Sequence, residues 1–260
     1  MKHQPRKRFG QNFLVDASVI SAILAAIHPA RGERIVEIGP GLGALTRPLL
    51  AAAEHMQVIE IDRDLAAKLE QEFAPRLTVH VADALDCDLA ALGNDLRVVG
   101  NLPYNISTPL LFHVAHFCTH IRDIHVMLQK EIVARMVAAP SDSNYGRLSV
   151  MLQYRFDLEK LIDVPATAFD PAPRVESAVV RLTPLRPAPF LAHDEVLFER
   201  VVKTAFSQRR KTLRNSLGSF LSEPDFAALA IAPKARAQEL GVSQFVAIAN
   251  YVGSRAARAD

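Results

Sequence analysis

Glu37-Ile38-Gly39-Pro40-Gly41-Leu42-Gly43-Ala44-Leu45 closes a β-rich run, Arg34–Ile38, and opens a stretch with helical apolar spacing, Leu42–Ala53. Glycines at such a strand-to-helix turn let the backbone turn tightly and approach a ligand closely. Glu60 ends the next β-rich run, Gln57–Ile61, 21 residues after Gly39, where a carboxylate accepts hydrogen bonds from two ribose hydroxyls. Together the turn and the spaced acid point to an adenosine-type ligand. Gly39-x-Gly41-x-x-Ala44 also reads as a dinucleotide fingerprint, which brings in a nicotinamide enzyme as an alternative.

Working outward, further β-rich runs at Thr78–Ala82, Leu96–Gly100 and Ile124–Leu128 alternate with helical spacing at Asp64–Phe73 and from Ser107 to about Phe117. Ser107-Thr108-Pro109 is a cap-like start, with proline where its missing N–H costs nothing. Strand-then-helix repeats of this length predict an α/β fold with a mostly parallel sheet covered on both faces. Two late runs, Leu161–Val164 and Ser177–Leu182, predict an antiparallel hairpin. Pro184, Pro187 and Pro189 mark a linker over 184–189, which divides the chain into residues 1–183 and a helical part over 190–260. Helical periodicity in that last part falls at Val196–Phe206, Thr212–Leu221, Pro224–Ala230 and Val242–Tyr251.

Of the 260 residues, 50% are hydrophobic and 22% charged, which excludes a disordered chain. The longest apolar run, Ala17–Ile27, is 11 residues and contains Ser18 and Ser21, too short and too polar to span a bilayer. The basic start is followed by Gly10, Gln11, Asn12 and Asp16, where a signal peptide would need an apolar core. Cys87 and Cys118 supply neither a disulfide framework nor a C-x-x-C site, so a reducing cytoplasm is the expected location. Charge is unevenly spread. Lys2, Arg6, Lys7 and Arg8 near the start, and Arg200, Lys203, Arg209, Arg210, Lys211 and Arg214 later, lie in stretches without an acid. Setting those ten aside leaves 20 basic against 28 acidic residues, a net of −8. Two basic stretches on an acidic remainder suit a polyanion-binding surface, or a solvated helix face with a basic arm.

Asp83 follows the third β-rich run, placed to meet an adenine amino edge or to cap a helix. Asn101-Leu102-Pro103-Tyr104 follows the fourth, beside the crevice at the carboxyl ends of the strands. An exocyclic adenine amine is a poor nucleophile because its lone pair is delocalised. The Asn101 amide oxygen and the Leu102 carbonyl, accepting its two N–H bonds, would draw the nitrogen toward tetrahedral geometry. Tyr104 would stack on the base, worth about 1–3 kcal/mol. Pro103 keeps Leu102 extended and its carbonyl free. Phe169, in the stiff Phe169-Asp170-Pro171-Ala172-Pro173-Arg174-Val175 loop, is either a second wall for the base or a packing aromatic. No nucleophile constellation and no metal-ligand spacing occurs; His113 and His116 read as satisfied or solvent-facing, and Met127, Met136 and Met151 as core filler.

Taken in order, these motifs resemble the ribosomal RNA adenine dimethylase family, most closely its bacterial small-subunit branch. The likeness runs through Phe9-Gly10-Gln11-Asn12-Phe13-Leu14, Glu37 to Thr46, Glu60-Ile61-Asp62, Asp83-Ala84, Asn101 to Ser107, Phe169 to Val180 and Ala205 to Leu213. It implies a Rossmann-like S-adenosylmethionine-dependent methyltransferase sheet with a small all-helical C-terminal domain that binds rRNA or the subunit. It implies S-adenosylmethionine as methyl donor and no metal. The implied acceptor is N6 of two adjacent adenines near the 3′ end of 16S rRNA, each dimethylated in the immature small subunit late in its biogenesis. Carried over by position, Asn12 and Leu14 contact the donor, Gly39 lies under its methionine part, Glu60 holds the ribose and Asp83 meets the adenine. Asn101 sits between donor and amine, with Leu102 beside it, and Tyr104 and Phe169 resemble the base-stacking pair. Arg209, Arg210, Lys211 and Arg214 are the implied RNA contacts. Glu176 departs from the family's usual aspartate, and the C-terminal tail is short. A monomer without a membrane partner is expected. The alternatives are a 23S rRNA adenine methyltransferase of the resistance kind and a non-catalytic RNA-binding assembly factor.

Overall fold

The computed structural model describes residues 11–208 and 210–259; Lys2, Arg6, Lys7, Arg8, Phe9, Gly10 and Arg209 lie outside the described residues. The chain divides into two units, Met1–Val133 with Asp157–Pro184, and Ala134–Phe156 with Leu185–Asp260.

In the first unit β1 (Phe13–Leu14) leads into α1 (Ala17–Ile27), whose N-terminus is capped by Asp16 accepting the Ser18 N–H at 2.8 Å. The apolar run judged too short for a membrane is this helix, and it buries Ile23 and Ile27. No helix among the described residues is long and apolar enough to cross a membrane. The chain then alternates β2 (Arg34–Ile38), α2 (Thr46–Ala52), β3 (Met56–Ile59), α3 (Arg63–Phe73), β4 (Leu77–His80), β5 (Leu96–Asn101), α4 (Ser107–His116) and β6 (Ile121–Gln129). After α5 (Lys130–Val137) and α6 (Arg147–Gln153) come β7 (Phe156–Val164), β8 (Phe169–Asp170) and β9 (Ser177–Pro184).

Seven strands form one sheet in the order β4-β3-β2-β5-β6-β9-β7. The pairs from β4 across to β6 are parallel, and β9 lies antiparallel to β6. Residues Leu96 to Gly100 are all buried, the unbroken pattern of a strand covered on both faces. The chain runs outward from β2 through β3 to β4 and then returns to β5, so the winding reverses between β2 and β5. A crevice opens at the carboxyl ends of strands at such a reversal. At the opposite end, Arg97 clamps three strands: its guanidinium donates to both Asp123 oxygens at 2.8 and 2.9 Å and to Glu33, just before β2, at 2.6 Å.

Two sequence expectations need correction here. The helix expected from Leu42 starts at Thr46, because Gly39, Gly41 and Gly43 hold left-handed φ angles of 68°, 57° and 79° and extend the turn. The small sheet formed by β1 and β8, pairing Leu14 with Phe169, lay below the strand signal because each partner is only two residues long.

Gly100 brings β5 close to the end of β2: a Cβ there would lie 2.5 Å from the Ile38 carbonyl oxygen. Gly100→Ala is therefore expected to force the two strands apart and destabilise the first unit by about 1–3 kcal/mol, read as a lower denaturant midpoint.

The second unit also corrects the sequence division. Pro184 is where the chain finally leaves the first unit, but residues 134–156, assigned by sequence to the first domain, pack with the C-terminal helices. These are α7 (Glu195–Ala205), α8 (Leu213–Ser216), α9 (Glu223–Ala228) and α10 (Val242–Ala259). The reason is aromatic. Tyr145 and Tyr154 are buried in one core with Phe198, Phe226 and Phe245; the Tyr154 ring lies 4.5 Å from that of Phe198, and its hydroxyl accepts the Ala192 N–H at 3.1 Å.

Candidate functional site

A cavity of about 310 Å³ occupies the crevice of the first unit, lined by residues 11–14, 37–42, 44–45, 59–61, 82–84 and 101–106. Three of its lining residues, Glu37, Glu60 and Asp83, are carboxylates, and none of the described lining residues is Lys, Arg or His. Leu42 and Ile61 bring exposed apolar side chains to it. A pocket so lined suits a ligand that is cationic and partly apolar.

The glycine turn and Glu60 are built into each other. The Gly39 N–H donates to the Ile59 carbonyl at 2.9 Å, and the Gly41 N–H to Glu60 Oε2 at 3.2 Å. The Asp62 N–H donates to Glu60 Oε1 at 2.8 Å. Burial pushes the Glu60 carboxyl upward, and these backbone donors draw it back. Glu37, at the end of β2, accepts the Thr46 hydroxyl at 2.6 Å on Oε2. Asp83 caps the following turn by accepting the Leu85 N–H at 2.9 Å, one of its two sequence readings, and it also lines the cavity.

Asn101 ends β5 with its Nδ2 donating to the Asn12 carbonyl at 3.0 Å. That bond fixes the orientation of the amide and leaves Oδ1 as its acceptor, on a residue that lines the cavity. Leu102 is buried, its N–H donating to the Met127 carbonyl at 3.1 Å. The carbonyl that accepts the Ile106 N–H is Pro103's, at 3.3 Å. Tyr104 lines the cavity, and its hydroxyl meets Ser177 Oγ at 2.5 Å across the start of β9. Burial pushes the Tyr104 phenol up, and the Ser177 contact opposes this. Ser177 and Thr46, each fully buried, were given no role by sequence; a lone hydroxyl in a strand or first helical turn carries no pattern of its own.

Asn12, Leu14, Gly39, Glu60, Asp83, Asn101, Leu102 and Tyr104 thus converge on one cavity. Phe169 does not. It is 4% exposed and belongs to the same apolar cluster as Leu14, Met127, Val164 and Val179, because pairing of β8 with β1 turns it into the core. In the second unit Arg210 and Lys211 are exposed, and Arg214 forms an exposed ion pair with Glu223 at 3.2 Å. Arg209 lies outside the described residues. His113 bonds the Cys87 carbonyl through Nε2 at 2.8 Å, a satisfied histidine as its spacing suggested.

The chain is 59% identical over 254 residues to the ribosomal RNA small subunit methyltransferase A of Thiobacillus denitrificans, covering 97% of this chain and 100% of that protein. The protein of the same name from Aromatoleum aromaticum is 58% identical over 259 residues, 99% and 98% of the two chains. Among solved structures, a dimethyladenosine transferase from Plasmodium falciparum superposes with a TM-score of 0.80 at 23% identity, over 93% of this chain and 98% of that one. The 23S rRNA methyltransferase ErmE superposes with a TM-score of 0.71 at 24% identity, over 93% and 100%, and shares the fold. Residues 2–254 match the family model described as ribosomal RNA adenine dimethylase, and the chain belongs to that family.

Proposed function

We propose that this protein transfers methyl groups from S-adenosylmethionine to N6 of two adjacent adenines near the 3′ end of 16S rRNA, two methyls to each, within the immature small subunit. It works as a monomer in the cytoplasm. The observation that carries the donor assignment is the acidic cavity: a sulfonium donor with an ammonium group meets three carboxylates and no described basic side chain, whereas an anionic dinucleotide would be repelled by the same walls. The small-subunit target is supported by relatives of that name at 58–59% identity.

When bound, the donor supplies an electrophilic methyl carbon. The protein's own work is binding and alignment. Glu60 accepts the ribose hydroxyls, Asp83 the adenine amino group, and the Asn12–Leu14 strap closes one wall. Asn101 Oδ1 and the Leu102 carbonyl accept the two N–H bonds of the target amine and aim its lone pair. The Tyr104 ring, tethered by Ser177, holds the base, and Phe169 acts from the core by fixing Leu14 in place. Such positioning removes much of the barrier without a strong base, and the proton of the methylated amine passes to water.

The deciding experiment is labelled-methyl transfer to small subunits lacking the modification, with large subunits in parallel and mass spectrometry of the nucleosides. Dimethyladenosine confined to small-subunit RNA is the expected result. Methylation confined to large-subunit RNA, or binding without transfer to either, would overturn the reading.

The second unit supplies RNA contacts through Arg210, Lys211 and Arg214, with Arg209 immediately before them in sequence. Replacing Arg210 and Lys211 together by alanine is expected to weaken RNA binding and to lower the slope of log affinity against log salt by about 1.5. Binding titrations at four or five salt concentrations check this, and Arg214, already paired with Glu223, should contribute less than either.

A further inference from the structure

Glu37 is the least solvent-accessible of the three cavity carboxylates, 2% exposed, and uses only one of its oxygens inside the protein. Oε2 takes the Thr46 hydroxyl, while Oε1 has no hydrogen-bond partner among the described residues. Among the described residues that line the cavity, none offers it a counter-charge. On either side in the sheet its register partners are Val58 of β3 and Val99 of β5, and α2 presents Thr46. The titratable group facing it is Glu60, a second carboxylate whose charge opposes its own. Burial first, then Glu60, push the Glu37 carboxyl up to about 7 against the pull of the Thr46 hydroxyl. A carboxyl raised this far titrates in the neutral range, and a cation entering beside it favours the anion.

We propose that Glu37 is a proton-linked counter-ion for the cationic methionine end of the donor, giving up its proton to solvent as the donor enters and regaining it as the spent product leaves. The proposal rests on reading the cavity as the donor site and deepens it. The donor carries a sulfonium and an ammonium charge, whereas the product thioether has lost the sulfonium. A buried carboxyl that ionises only against a strong positive field separates the two by charge, without touching the methyl group. The sign is fixed by linkage: a ligand that binds the deprotonated form releases protons, and its affinity falls as pH drops below the free-state pKa.

Isothermal titration of the whole protein with S-adenosylmethionine, in two buffers of different ionisation enthalpy, reads the proton directly. The wild type should release about half a proton on binding at pH 7, and its donor Kd should be about tenfold weaker at pH 6 than at pH 8. Both effects are taken as differences from Glu37→Gln, so that titration of the donor itself cancels, and both should be smaller for the product thioether. Thr46→Val removes the hydroxyl that favours the anion and should move the midpoint of the pH profile upward. Equal proton release by wild type and Glu37→Gln, or an unmoved midpoint in Thr46→Val, overturns the proposal while leaving the donor site intact. Absence of binding heat at every pH overturns the donor-site reading and the proposal with it.

Discussion

Asn101→Ala should lower kcat for methyl transfer by about 10²–10³-fold, the usual consequence of removing one preorganised polar group from around a reacting centre. The amide is held on one side only: Nδ2 is committed to the Asn12 carbonyl, so Oδ1 keeps a fixed position before any substrate arrives. Alanine removes both functions, but they separate by magnitude. The lost bond to Asn12 is a neutral hydrogen bond, worth about 1 kcal/mol, and should weaken donor binding by less than about tenfold. Single-turnover methyl transfer and donor titration, run side by side, distinguish the two. A donor Kd rising in step with the fall in kcat would mean that Asn101 serves only to hold the strap.

Phe169→Ala should cost about 3–5 kcal/mol of stability in the first unit, measured by urea unfolding, because a large buried ring is lost from a core that cannot fully collapse around the gap. Phe169→Leu gives the sharper outcome. A leucine refills most of the volume and should cost less than about 1.5 kcal/mol while leaving methyl transfer close to normal. If the leucine variant folds normally and the acceptor KM still rises steeply, the ring stacks on the target base and leaves the core to do so. The structure favours the first outcome, since Phe169 is buried in the same cluster as Leu14 and is not on the cavity wall.

The parallel core of the fold was legible because each of its strands is followed by a helix or a capped turn. Arg34–Ile38 agrees residue for residue, and Asn101 and Glu60 both line the cavity because strand ends in such a sheet face the crevice. What escaped notice depends on partners remote in sequence. β1 and β8 are two residues each and acquire strand geometry only by pairing with one another. Residues 134–156 carry the same amphipathic signal as any surface helix, and nothing local says which core receives Tyr145 and Tyr154. The Ser177 hydroxyl meets Tyr104 across 73 residues. Phe169 was read as either wall or core, and the choice turned on a strand pairing that periodicity cannot reveal.

The Asn12–Leu14 strap also sets the order in which the protein comes to life. Its anchors include Asn101, 89 residues away, and β8 at Phe169–Asp170. During synthesis from the N-terminus, β2 through β6 can pair while the strap has Asn101 to bond but no partner strand, since β8 has yet to be made. Contacts of such long sequence separation form late because the loop they close is entropically costly. The donor pocket is therefore completed after the sheet that supports it, and a chain released before residue 170 would hold the glycine turn and Glu60 with one wall of the pocket missing.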